Sequence, residues 1–165
     1  MHETSGRGAL VLGVGNILLA DEGVGVRVVE AFQQRYAVPE DVEVLDGGTA
    51  GMDLLDALSS RSHIVIIDAV RTGAEPGTIV RLIGSEVPAL FSNRISPHQL
   101  GISDVLAILR LVDQEPEHIA LIGIVPLDLE LGLALSDAIT AKVDEMADLV
   151  AAELRRHGFA VTPLS

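Results

Sequence analysis

One stretch near the amino terminus, from Ala9 to Phe32, constrains the fold more than any other part of the sequence. It begins with an apolar run, Ala9 to Leu12, that has the length of one buried strand. A glycine-rich turn follows, and beyond it apolar residues recur at helical spacing, at Val24, Val28 and Phe32. A strand, a glycine-rich loop and a helix in this order predict the first half of a βαβ unit.

Dinucleotide-binding folds begin with the same elements, so the residues of the loop have to show whether this chain is a dinucleotide-binding protein or another α/β protein. Their fingerprint requires a third glycine where this chain has Leu18. Two adjacent acids, Asp21 and Glu22, precede the helix, and no Lys or Arg occurs between Arg7 and Arg27. A phosphate at this helix start would meet both carboxylates. The loop therefore favours a cation or a polar substrate, although the acids could instead only stabilise the helix start by about 0.3–1 kcal/mol.

The composition limits the remaining classes. The chain has 165 residues, which predicts a single domain, 1–165, with a sizeable core. Hydrophobic residues make up 48% and aromatic residues only 2%, so the core is aliphatic and suits a parallel sheet covered by helices. A net charge of −13 argues against nucleic acid or an anionic membrane as partner. The absence of cysteine excludes disulfides and thiolate metal sites and fits a reducing compartment.

Further strands and helices alternate along the rest of the chain. Apolar runs predict strands at Val42–Leu45, His63–Ile67 and Ile119–Val125, and a more alternating run predicts an edge strand at Thr78–Ile83. Apolar stripes predict helices at Met52–Leu58, Ser103–Val112 and Ser136–Arg156, with Ser136 as N-cap. Val87–Ser96 is expected to be irregular, and Thr162–Ser165 a tail. The pattern predicts an α/β fold, a three-layer sandwich with a mostly parallel, twisted five-stranded sheet and helices on both faces.

No membrane or export segment is expected. The first eight residues are polar and the apolar run after them is short, which is not typical of a signal peptide. No segment reaches the roughly 20 apolar residues of a transmembrane helix.

Acidic residues follow the strands at the edge where parallel sheets bind ligands. Asp21 and Glu22 lie in the loop after the first strand, Asp46 ends the second strand and Asp68 ends the third. Two carboxylates about 4 Å apart, at an effective dielectric constant of about 20, repel each other by about 4 kcal/mol. Basic residues are scarce nearby, so a bound divalent cation is the simplest compensation. The alternatives are a turn role for Asp46, which is as plausible as a functional one, and a strand-capping role for Asp68, which is weaker.

Of the five histidines, His98 is the best candidate for joining these acids. It follows Pro97 in a predicted loop before a helix, so it can reach the carboxyl edge of the sheet. His63 and His118 begin strands at the opposite edge, and His157 ends a helix, where its charge suits the dipole. Carboxylates with an imidazole suit Zn²⁺ or Ni²⁺ better than Mg²⁺ or Ca²⁺. The alternative for His98 is a solvated loop histidine without a ligand.

Four segments, in this order and spacing, resemble the nickel–iron hydrogenase maturation endopeptidases: GVGNILLADEGVGVRVVE, LDGGTAGMDLL, IVIIDAV and ISPHQLGISDVLAILRL. The resemblance implies a cytoplasmic protease that removes a C-terminal extension from a hydrogenase large-subunit precursor once nickel is installed. It also implies a metal-binding triad, which falls here on Glu22, Asp68 and His98. Asp46 matches another recurring acid of the family, with a less certain role.

The chemistry leaves two mechanisms open. A resident Ni²⁺ held by Glu22, Asp68 and His98 could polarise the scissile carbonyl or acidify a water molecule, and zinc or cadmium could occupy the same site. Alternatively, the nickel belongs to the substrate and serves for recognition, while an acid such as Asp46 acts as general base, as in aspartic-type catalysis. The chain lacks a cysteine nucleophile, a Gly-x-Ser-x-Gly elbow and a His-Glu-x-x-His motif. A nickel-carrying chaperone without hydrolytic activity and a nucleotide-binding protein are the competing classes, and the acidic loop disfavours the second.

Overall fold

The computed structural model describes residues 7–48, 54–92 and 97–164, with side chains described throughout except at positions 48, 91, 92 and 97–101. The strands are β1 (Ala9–Val14), β2 (Tyr36–Ala37), β3 (Val42–Gly48), β4 (His63–Ala69), β5 (Ile79–Ile83), β6 (His118–Ile124) and β7 (Thr162–Pro163). The helices are α1 (Val24–Arg35), α2 (Leu55–Leu58), α3 (Glu86–Ser92), α4 (Pro97–Leu111), α5 (Asp137–Thr140) and α6 (Val143–Arg156). A 3₁₀ turn, Ala20–Gly23, leads directly into α1.

A five-stranded sheet with the order β3-β1-β4-β6-β5 forms the centre of the fold. The first four strands in this order are parallel to one another, and β5 pairs antiparallel with β6 at the edge. The strands β1 and β4 are buried along nearly their whole length, as continuous aliphatic runs predict. The predicted mostly parallel sheet and its edge strand are thus confirmed.

Helices cover both faces of the sheet. One apolar cluster joins one face to α1 and α6 through residues such as Phe32, Ile67 and Val150. A second cluster joins the other face to α2, α3 and α4 through residues such as Leu12 and Leu109. Both clusters are almost entirely aliphatic, as the composition predicts, and the three-layer architecture predicted from the alternation of strands and helices is confirmed.

Two glycines allow α1 to pack against the sheet at backbone distance. An added Cβ at Gly25 would overlap the carbonyl oxygens of Val14, the last residue of β1, and of Ile67, two residues before the end of β4. An added Cβ at Gly13 would in turn overlap the carbonyl oxygen of Gly25. The close approach fixes the start of α1, and the 3₁₀ turn before it, directly over the carboxyl ends of β1 and β4.

The second strand and the last helix differ from the predictions. Asp46 was predicted to end the strand, with a turn as one of its two roles, but β3 continues through Gly48 because β1 pairs with it as far as Val14, across an irregularity in register. The predicted helix Ser136–Arg156 is two helices, α5 and α6, separated at Ala141 and Lys142. Ser136 does occupy the N-cap position of α5, but its side chain makes no capping hydrogen bond there.

Three other boundaries were also wrong. The helix predicted from Ser103 begins six residues earlier, at Pro97, a residue that favours the first helical position. The segment expected to be irregular contains α3, in which Val87 is buried and the Glu86 carboxylate accepts a hydrogen bond from the Ile83 N–H. The supposed tail supplies β7, which pairs antiparallel with β2. Within the described ranges, no helix is long and apolar enough to cross a membrane.

Candidate active site

Two acids predicted to lie together, Glu22 and Asp68, meet at the carboxyl edge of the sheet. Asp68 is the penultimate residue of β4, is completely buried, and its Oδ1 accepts a hydrogen bond from the Ala69 N–H at 2.8 Å. Glu22 lies in the 3₁₀ turn with only 8% of its surface exposed. Gly15, with φ +129°, separates them: an added Cβ would lie 3.7 Å from Asp68 Oδ1 and would overlap the Glu22 carbonyl oxygen. Only glycine fits this approach.

Asp21 has a different role from its neighbour Glu22. Its side chain is fully buried and accepts four hydrogen bonds. The donors are the Leu127 N–H at 2.9 Å, the Asp128 N–H at 2.8 Å, the Ser136 N–H at 2.7 Å and the Ser136 hydroxyl at 2.8 Å. Asp21 therefore clamps the loop 126–136 to the 3₁₀ turn. No local sequence pattern predicts this role, because the donors lie 106 to 115 residues further along the chain.

Backbone contacts reinforce the clamp. The Ala20 N–H donates to the Gly132 carbonyl and the Asp21 N–H donates to the Asp128 carbonyl, both at 2.9 Å. Ala20 has φ +44°, a left-handed conformation that costs a non-glycine residue about 1 kcal/mol or more. Backbone strain of this kind persists only where surrounding contacts hold the residue in place. Here the two backbone hydrogen bonds do so, and they thereby fix the turn that carries Glu22.

The structure brings the helix that carries His98 to the same edge of the sheet. The carbonyl of Gln114, just beyond α4, accepts a hydrogen bond from the Ser60 N–H, so α4 ends near the start of β4. The 15 residues of α4 span about 22 Å, close to the length of a seven-residue strand. The first turn of α4, with His98 as its second residue, therefore lies towards the carboxyl edge. The side chain of His98 falls outside the described part of the structure.

Alternation along the strands places Asp68 on the face that α4 covers. Asp68 continues the series Ile64 and Ile66, which pack in the same cluster as Ile102 of α4. The buried Asp68 and the first turn of α4 therefore belong to one layer of the molecule.

Asp46 is separated from this group. Asp46 is exposed and pairs in register with Gly13 of β1. Its own strand, β3, is the second strand from β4, which corresponds to about 10 Å. It continues the series Val42 and Val44, which packs against the α1 and α6 layer. Asp46 thus borders the carboxyl edge on the face opposite Asp68.

An open groove and exposed leucines surround the buried acids. The groove has a volume of about 370 Å³ and lies beyond the ends of β4 and β6; its lining includes Arg71, Pro76, Pro126 and Leu129. Around it, several large apolar side chains of the clamped loops face solvent: Ile17, Leu18, Leu127, Leu131 and Leu133, with Leu131 85% exposed. The edge therefore offers exposed apolar side chains and an open groove next to an acidic centre.

The donor chemistry at this edge fits a first-row transition metal. The two buried carboxylates, from Glu22 and Asp68, would form with an imidazole such as that of His98 a mixed oxygen and nitrogen set that suits Zn²⁺ or Ni²⁺. Three protein ligands also leave a coordination position for a further group. A cation would moreover compensate the negative charge concentrated there.

Comparisons with known proteins show the family to which the chain belongs. The sequence model described as hydrogenase maturation protease matches residues 26–153. The Hydrogenase 2 maturation protease of Escherichia coli K12 is 49% identical over 155 residues, which cover 93% of this chain and 94% of that protein. The hydrogenase expression/formation protein HupD of Bradyrhizobium diazoefficiens is 41% identical and covers 93% of this chain and 81% of its own.

Solved structures show the same fold. The hydrogenase maturating endopeptidase HybD from E. coli superposes with a TM-score of 0.92 at 49% identity, covering 94% of this chain and 96% of its own. The [NiFe] hydrogenase maturation protease HybD from Thermococcus kodakarensis reaches 0.72 at 29% identity, covering 88% and 97%. The chain therefore belongs to the hydrogenase maturation proteases and is a peptidase. The resemblance seen in the four sequence motifs is confirmed.

Proposed function

We propose that this protease removes the C-terminal extension of a nickel–iron hydrogenase large-subunit precursor after nickel insertion, and that it recognises the nickel through Glu22, Asp68 and His98. The observation that carries the proposal is the meeting of Glu22 and Asp68, both buried, at the edge towards which α4 directs its first turn. Family membership favours this reading over a nickel chaperone without hydrolytic activity.

In this proposal the nickel ion is part of the substrate. The protease contributes a pre-organised acidic pocket, held by the Asp21 clamp and by the backbone approach at Gly15. A precursor without nickel would bring no cation to this pocket and would lack the attraction of that cation to the two carboxylates. A divalent ion held there would also polarise a nearby peptide carbonyl or acidify water. Asp46, exposed at the same edge, remains the candidate general base.

The exposed leucines supply a second contact through which the protease recognises the precursor. Single exposed apolar residues are common, but a group of them on two clamped loops beside an open groove is typical of a protein-binding surface. We infer that Leu18, Leu127 and Leu131 contact the folded part of the precursor, while the groove receives its extended C-terminal segment. Arg71 in the groove would then pair with a carboxylate of that segment.

Intact-mass analysis of a cognate precursor tests the metal-dependent step. Nickel-loaded and nickel-free precursor are each incubated with the wild-type protease and with Glu22→Gln, Asp68→Asn and His98→Ala. Glu130→Gln serves as the matched control, because it removes one exposed carboxylate from the clamped loop. We expect loss of a single C-terminal fragment only with nickel, with at least a 100-fold lower rate for the three site variants and an unchanged rate for the control. Equal cleavage of nickel-free precursor would refute nickel recognition.

A second experiment tests the docking surface. Leu131→Asp places a charge in the exposed leucine group and should raise KM for the precursor about tenfold or more without lowering the melting temperature. Leu111→Asp is the matched control, because Leu111 is 83% exposed but ends α4, at the opposite edge of the sheet. Equal effects of the two substitutions on KM would contradict a specific surface near Leu131.

A further inference from the structure

Three histidines from three different elements meet at the edge of the sheet opposite the acidic pocket. His63 begins β4 and His118 begins β6, and the two residues pair directly in register. His157 follows the last residue of α6. The ring centroids lie 4.5 to 4.8 Å apart, and one potential ligand atom from each side chain lies within 4.8 Å of the others. The sequence had assigned these residues only to strand starts and to a helix end.

Neighbouring groups orient two of the rings. His63 Nδ1 lies 2.8 Å from the Ser62 hydroxyl, which leaves its other ring nitrogen for a ligand. His157 Nε2 lies 3.4 Å from Oε2 of Glu153. Glu153 is only 3% exposed and is itself fixed by the Arg81 guanidinium, with Nε to Oε1 at 2.7 Å. A carboxylate behind a histidine is the usual outer partner of a metal-binding imidazole, because it fixes the ring and increases its basicity.

The cluster is open enough to load from solvent. His118 is exposed and the other two rings are half-buried, while Phe159 packs edge-on against His63 at 5.1 Å. Zinc–nitrogen bonds of about 2.0–2.1 Å require nitrogen atoms about 3.4 Å apart in a tetrahedral site. The present ligand atoms, within 4.8 Å of one another, would have to approach to that spacing when the metal binds.

We propose that His63, His118 and His157 form a second metal site, which binds a divalent transition metal ion, with Zn²⁺ as the expected occupant. Three imidazoles form a ligand set for Zn²⁺, Ni²⁺ or Cu²⁺ and not for Mg²⁺ or Ca²⁺. The site is independent of the acidic pocket, since the two lie at opposite ends of β4. A metal here would link the starts of two central strands to the end of α6, so binding should stabilise the fold.

The test uses Zn²⁺ itself as the probe, in a background where the acidic pocket cannot bind it. In Glu22→Gln/Asp68→Asn/His98→Ala protein, freed of metal by chelation, we expect calorimetric titration to show one Zn²⁺ per chain. His118→Ala added to this background should weaken binding at least 100-fold. His2→Ala is the matched control: it removes a histidine near the amino terminus, another potential metal ligand, and should leave the affinity unchanged.

Two further readouts keep the proposal testable if one variant is unstable. Zn²⁺ at about 100 times its dissociation constant should raise the melting temperature by roughly 5–10 °C in the background protein and not in His118→Ala or His157→Asn. Co²⁺ in the same site should give the intense visible bands of a tetrahedral complex. No binding by the folded background protein, or equal binding after His118→Ala, would overturn the second site and leave the proposed protease function untouched.

Discussion

Replacing Asp21 by Asn probes the clamp that shapes the acidic edge. The substitution keeps the size of the side chain but removes its charge and converts one acceptor oxygen into an amide donor. With the remaining oxygen at the Oδ2 position, three of the four donors keep an acceptor, while the amide faces the Ser136 N–H. One buried donor is then unsatisfied, and the three remaining hydrogen bonds are no longer charge-assisted.

The expected cost follows from these contacts. An unsatisfied buried donor costs about 1–3 kcal/mol, and weakening three charge-assisted hydrogen bonds adds to it. Part of this cost is recovered because the clamped loop is largely exposed, so water can solvate its N–H groups if it detaches. We expect a loss of about 2–3 kcal/mol in the free energy of unfolding, or roughly 4–12 °C in melting temperature for a chain of this size.

Thermal and chemical unfolding of Asp21→Asn beside Glu130→Gln measures this effect. The control removes a charge from the same loop at an exposed position and should stay within about 0.5 kcal/mol of wild type. Hydrogen exchange should show faster exchange at Leu127, Asp128 and Ser136 in Asp21→Asn, and precursor cleavage should slow. An unchanged melting temperature with unchanged exchange would refute the clamp.

Three further outcomes follow from the structure. Gly25→Ala, whose Cβ would overlap two strand carbonyls, should destabilise by more than about 3 kcal/mol or prevent folding, whereas Gly132→Ala, with no atom within 4 Å of the added Cβ, should be nearly neutral by urea unfolding. The hydrogen bond from Tyr36, and then that from Arg35, lower the pKa of Asp148. The contribution of Asp148 to stability is therefore complete above the ordinary carboxyl pKa of about 4 and is lost as the pH falls below it. Asp148→Asn should reduce this acid-dependent loss of stability by less than about 1 kcal/mol, because the side chains of Asp148 and Arg35 are half-exposed. Arg71→Ala should raise KM for the nickel-loaded precursor three- to tenfold at unchanged kcat, and an unchanged KM would exclude Arg71 from the groove's recognition of the segment.

The sequence by itself determined the layers of this protein and the edge that carries its chemistry. Continuous β-branched runs such as Ile64–Ile67 indicate buried strands, and the alternation of strands with amphipathic stripes predicts a parallel sheet between helices. Because parallel strands end at one edge, the acids after the first and third strands, Glu22 and Asp68, had to come together there. The four motifs then indicated the family.

Tertiary structure alone decided what Asp21, Asp46 and the three histidines of the opposite edge lie against. Asp21 and Glu22 are adjacent in sequence, yet the side chain of Asp21 accepts its hydrogen bonds from residues more than 100 positions further along the chain. No local sequence pattern extends over that distance. Asp46 continues the series Val42 and Val44 on the face opposite Asp68, because pairing with β1 extends β3 through the predicted turn. The three histidines of the opposite edge meet only because β4 and β6 are neighbours in register and α6 ends beside them. Periodicity fixes which face a residue takes, but strand order and helix packing fix what it faces.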